Sequence, residues 1–171
     1  MMVTLSSLSV GNNMNQSIGK QEVNKHEVPC VDIETEEESI WDDVYSIALD
    51  SFITVDEGLN SDMEYIAINS QTLSNASDED IIKIKDYFIK YEVEIIDESF
   101  NILSEKGMVK KGNYIEGLLL EITDVNIISD NKVIIEGSKF RSGLGAVGVK
   151  STVIKSNGEW QLKSADMTWI S

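Results

Sequence analysis

The stretch KFRSGLGAVGVKSTVIK, residues 139–155, decides how this chain is read. Gly143, Gly145 and Gly148 spell G-x-G-x-x-G, the spacing with which a strand-turn-helix unit cradles a pyrophosphate. That chemistry needs a helix directly after the glycines, because the free amides of its first turn hold the phosphate oxygens. Here the exit alternates Val147, Val149, Ser151 and Val153 against Gly148, Lys150, Thr152 and Ile154, a period of two with β-branched side chains throughout. A strand leaves the glycines, and the 23 residues after Gly148 cannot hold a crossover helix, a second strand and a ribose-binding acid. No nucleotide or other cofactor is expected. The glycines are instead expected where the backbone needs a positive φ, a bend or close approach by another segment.

Working outward, the same period of two recurs in four runs separated by turn signals. Tyr114 to Ile128 ends at Ser-Asp-Asn-Lys, Val133 to Phe140 at the glycine stretch, Val147 to Lys155 at Ser-Asn-Gly-Glu, and Trp160 to Ile170 closes the chain. This is the pattern of a four-stranded antiparallel meander. Two runs change parity without a turn: Leu118, Leu120 and Ile122 give way to Val125 and Ile127, and Trp160 and Leu162 give way to Met167 and Trp169. A parity slip of that kind predicts a β-bulge, with added bend and twist.

The part before the meander reads as helices and two short strands. Thr35-x-x-Glu38 is a capping box ahead of Ile40, Trp41, Val44, Tyr45, Ala48 and Phe52, which share one helical stripe. Tyr65 to Asn69 reads as a strand, Ser77-x-x-Asp80 opens a second helix through Ile84, Phe88 and Tyr91, and Val93 to Ile96 reads as another strand, together one possible crossover unit. Ser99 to Lys106 reads as a third helix stopped by Gly107. The fold class is therefore α+β: N-terminal helices packed on a curved, mainly antiparallel sheet that ends in the meander. Trp41, Trp160 and Trp169 are expected together in its core.

Residues 11–34 carry no apolar period and hold the only proline, so 1–34 reads as a signal-like start (MMVTLSSLSVGNN) and a disordered linker, and 35–171 as one domain. The start leads to the expectation of an extracytoplasmic or secreted protein. No apolar run reaches the roughly 18 residues of a membrane span. Cys30 stands alone and His26 is the only histidine, which removes an intrachain disulfide and any zinc site built from Cys and His pairs; no metal is expected.

Charge narrows the partners. The chain carries a net charge of −16, which disfavours nucleic acid, since phosphate contacts require clustered bases. The imbalance is uneven: residues 1–131 hold 27 acids and 8 bases, whereas 132–171 hold 3 acids and 6 bases, including Arg141, the only arginine. Lys139, Arg141, Ser142, Gly143, Gly145 and Lys150 thus surround a loop rich in amides, a candidate site for a carboxylate or other anionic partner. The competing expectation is that these bases serve the protein's own acids.

The segment VIIEGSKFRSGLGAVGVKSTVIKSNGEWQLKSADMTWIS, with GLNSDMEYIAIN before it, resembles small extracytoplasmic proteins of unknown function from Gram-positive bacteria with AT-rich genomes. The resemblance implies a fold and a compartment but no catalytic residue. The helix-on-sheet order is also similar to the NTF2-like and cystatin-like architectures, in which a hollow between sheet and helix is the usual pocket. Three functions are expected from these features. The first is a non-catalytic binding or accessory domain for a peptide, wall component or partner protein. The second is an acidic inhibitor or immunity protein that blocks a basic enzyme from the cytoplasm. The third is a small hydrolase or isomerase using Glu121, Asp124, Glu136 or Asp166.

Overall fold

The computed structural model describes residues 39–171. The signal-like start, the linker, His26, Cys30 and the Thr35–Glu38 box lie outside these residues. In chain order the elements are α1 (Trp41–Thr54), β1 (Tyr65–Ile68), α2 (Asp78–Phe88), β2 (Glu94–Ile96), α3 (Phe100–Glu105), β3 (Leu118–Ser129), β4 (Lys132–Ser142), β5 (Gly145–Ser156) and β6 (Glu159–Ile170). The six strands form one mixed sheet in the order β2-β1-β3-β4-β5-β6. β1 pairs parallel with both β2 and β3, and β3 to β6 form the antiparallel meander. The fold is α+β, and no helix of the described residues is long and apolar enough to cross a membrane.

Local sequence accounts for most of these elements. The Ser77 hydroxyl accepts from the Asp80 amide while the Asp80 carboxylate accepts from the Ser77 amide, so both orphan donors at the start of α2 are satisfied. Two hydroxyls add donors to the same carboxylate, Ser77 Oγ at 2.7 Å and Ser39 Oγ at 3.0 Å. Burial of Asp80 pushes its pKa up, but these hydrogen bonds and the nearby Lys83 prevail, and the carboxyl titrates below its usual range. Ser99 caps α3 by one bond alone, its hydroxyl accepting from the Ile102 amide, and Gly107 (φ +72°) ends it. α1 differs: it begins at Trp41, and its N-cap, Ile40, makes no side-chain cap.

One face of the sheet is the core. Val44, Tyr45, Ala48, Leu49 and Phe52 of α1 are fully buried against Ile122, Val133, Ile135, Val147, Val149 and Val153, with Ile84 and Phe88 of α2 in the same cluster. Gly137 lets the helix come this close, because a Cβ there would overlap both the Phe52 ring and the Glu121 carbonyl. A buried hydroxyl pair locks the contact: Ser51 Oγ donates to Ala48 O at 2.6 Å, so the 2.5 Å contact with Ser151 Oγ is donated by Ser151.

The predicted bulge in β3 falls at Thr123, between Ile122↔Gly137 and Asp124↔Glu136. β6 carries two bulges, at Lys163 and at Thr168. The second corrects the expectation of a shared tryptophan core. Met167 pairs with Val149 on the helix-covered face, but the extra residue at Thr168 makes Trp169 pair with Gly148, on the opposite face. Trp160 is buried in the core and Trp41 packs at its margin, its ring 5.4 Å from that of Tyr45, whereas Trp169 is half exposed on the far side of the sheet.

Candidate functional site

The three bases expected near the glycine loop do not form one site. β4 places Lys139 on the core side with Val133 and Ile135, and its side chain is fully buried. Its ammonium shares three donors among Ile53 O (3.0 Å), Val55 O (2.5 Å), Asp56 O (2.9 Å) and the side-chain Asn60 Oδ1 (2.9 Å), all at the end of α1 or in the turn after it; Ile53 O also accepts from Asn60 Nδ2 and Asp56 O from the Leu59 amide. Burial lowers its pKa to about 8 against the pull of Asp56 and Glu57. Lys139 is thus the C-terminal cap of α1, supplied from a distant strand. Arg141 is also buried, donating to Leu59 O, Asp62 O and the Tyr114 hydroxyl. Only Lys150 lies outside the core, on the opposite face, where it pairs with Glu136 at 2.7 Å and is held more basic by it.

The glycines divide as well. Gly143 and Leu144 form the turn between β4 and β5, Ser142 pairs with Gly145 at its base, and Gly143 N donates to Gly112 O at 3.2 Å. Neither Gly143 nor Gly145 has a positive φ, which corrects that part of the expectation. At Gly145 a Cβ would crowd Ser142 Oγ and Leu59, so close approach is the reason there. Gly148 lies within β5, beneath the indole of Trp169, and a Cβ would collide with that ring. β5 comes directly after the turn, so no helix amides face these glycines.

The face opposite the core holds a different arrangement. α3 and the segment around Ile115 cover its β1 and β3 end through Tyr65, Ala67, Leu103 and Leu119. Beyond them, strand register sorts the side chains into rows across the strands. Leu119, Phe140 and Ala146 form an apolar row. Glu121, Ser138, Gly148 and Trp169 form the next. Asp124, Glu136, Lys150 and Asp166 form a charged third. The face therefore grades from apolar to acidic over three successive rows, four to five residues along β3, β4 and β5.

A cleft of about 240 Å³ opens between the first two rows. Phe100, Leu119, Phe140, Ala146 and Trp169 give it aromatic and aliphatic walls, and Phe100 meets Phe140 edge to face at 5.3 Å. Asn113, Glu121 and Ser138 supply its polar groups. Glu121 is fixed by Asn69, whose Nδ2 donates to Oε1 at 2.7 Å. Small residues at 138, 146 and 148 keep the floor low, so the Trp169 ring lies down on the backbone instead of standing in solvent.

All four carboxylates suggested for catalysis, Glu121, Asp124, Glu136 and Asp166, lie on this face. Only Glu121 enters the cleft; Glu136 is paired with Lys150, and Asp124 and Asp166 are exposed. The hollow between sheet and α1, the expected pocket, is occupied by packed side chains. Trp169, Phe100 and Phe140 escaped the sequence reading, Trp169 because its bulge carries no turn signal and the two phenylalanines because they meet only through tertiary structure. Comparison with known proteins adds no relative: no family model, curated protein or solved structure matches the chain.

Proposed function

We propose that this chain is a non-catalytic binding or accessory domain, acting outside the cytoplasm, that recognises an extended peptide or a partner protein through the open face of its sheet. The supporting observation is the half-exposed indole of Trp169, held flat over Gly148 at the rim of an aromatic cleft. A large aromatic side chain kept ordered at the surface offers contact area at little entropic cost, the property that concentrates Trp at recognition sites. Catalysis is less well supported, because the one carboxylate in the cleft is tied to Asn69 and has no histidine, thiol or metal-ligand cluster beside it among the described residues.

Panning a random peptide library against the protein, followed by mapping of amide resonance shifts with a selected peptide, tests this reading. Shifts should centre on Trp169, Gly148, Ser138 and Phe140. Shifts confined to α1 and α2 would contradict it.

A further inference from the structure

We infer that the cleft takes a basic side chain, arginine or lysine, from its peptide, with the stem lying on Trp169 and the cationic head meeting Glu121. This inference rests on the peptide-binding reading of the same face. Three features of the site converge on it. In the second row Glu121 and Trp169 sit on the two outer strands of the four, with only Ser138 and Gly148 between them. The indole leans back over Gly148, so the ring and the carboxylate-bearing strand are separated by about two strand spacings, roughly 10 Å. That gap suits a long side chain with an apolar stem and a charged tip, and the tip finds a carboxylate already oriented by Asn69.

Electrostatics favour the same guest. The row beside the cleft carries Asp124, Glu136 and Asp166 against the single base Lys150, and that base is engaged by Glu136. A cation entering the cleft therefore meets acids on one side and an indole face on the other, and a cation over indole gains from the ring quadrupole. An acidic guest would meet the reverse. The inward placement of Lys139 and Arg141 matters here, because it removes from this face the two bases that would repel the guest.

The test is competitive capture at physiological salt by the immobilised protein. The probes are three pools of synthetic heptapeptides, randomised at the flanks, with Arg, Gln or Glu fixed at the centre. Wild type should retain the Arg pool about tenfold over the Gln pool and exclude the Glu pool. Glu121→Gln, which keeps the Asn69 hydrogen bond, should abolish the preference for Arg over Gln; Trp169→Ala should lose both the Arg and the Gln pools. Both variants should melt as wild type does.

Equal retention of the Arg and Gln pools would overturn the basic-guest inference and leave the peptide-binding reading standing. An Arg preference that survives Glu121→Gln would overturn it too, as attraction to the net charge alone. Retention of no pool, or retention indifferent to Trp169→Ala, would overturn both.

Discussion

The two faces of this sheet treat a lysine in opposite ways. Lys139 and Lys150 belong to adjacent strands, yet Lys139 is sealed beneath α1 with four oxygen acceptors, and Lys150 lies in the open, joined to one carboxylate. The first arrangement fixes where a helix ends; the second adjusts the charge of a surface. The tryptophans divide in the same way, Trp160 inside the core and Trp169 on the open face, because one added residue at Thr168 turns the end of β6 over. Side-chain type therefore says little about role in this molecule, and register says a great deal.

Phe52→Ala should show the largest effect, because it empties the centre of the covered face where the ring lies on Gly137; a loss of about 3–5 kcal/mol in urea unfolding is expected. Lys139→Met keeps the bulk but leaves the Val55 carbonyl without its donor and takes one from Ile53 O, Asp56 O and Asn60 Oδ1, for an expected loss of about 2–4 kcal/mol. Were Lys139→Met as stable as wild type, the capping role would fail and the two lysines would no longer differ.

Asp80→Asn probes how the helical layer is anchored, with an expected loss of about 1–2 kcal/mol at neutral pH. The folded carboxyl titrates below its unfolded value, so the unfolded chain binds the proton first as pH falls. The contribution of Asp80 is therefore complete above the ordinary carboxyl pKa and disappears as pH drops through the folded one, and the gap between variant and wild type should close in acid. A gap independent of pH would contradict the assigned shift. Lys150→Gln, on the open face, should leave the urea-unfolding midpoint unchanged, as the loss of an exposed ion pair does.

The covered face was largely legible in the sequence. The stripe of α1, the Ser77–Asp80 box and the alternation in β3 to β5 are local signals, and each maps onto the observed element. The hidden features were set by contacts across the chain. Lys139 and Arg141 share the parity of Val133 and Ile135, so the alternation itself held the signal that both bases point inward; weighing them by charge alone drew them to the loop instead. The cap of α1 could not be read from the helix, because its last turn contains no base. Trp169 was misplaced for a different reason: a bulge at Thr168 has no residue signature, and it turns Trp169 to the opposite face of the sheet. The cleft inherits that difficulty, since its walls come from α3, β3, β4, β5 and β6.

Trp169→Ala bears most directly on the claim that the open face serves recognition and the covered face serves stability. Its unfolding free energy and its capture of the Arg-centred heptapeptides should be measured on one preparation. Stability within about 1 kcal/mol of wild type, together with at least a tenfold loss of capture, is the predicted result. A loss of about 3 kcal/mol or more with capture unchanged would instead make Trp169 a core residue and the open face a structural surface.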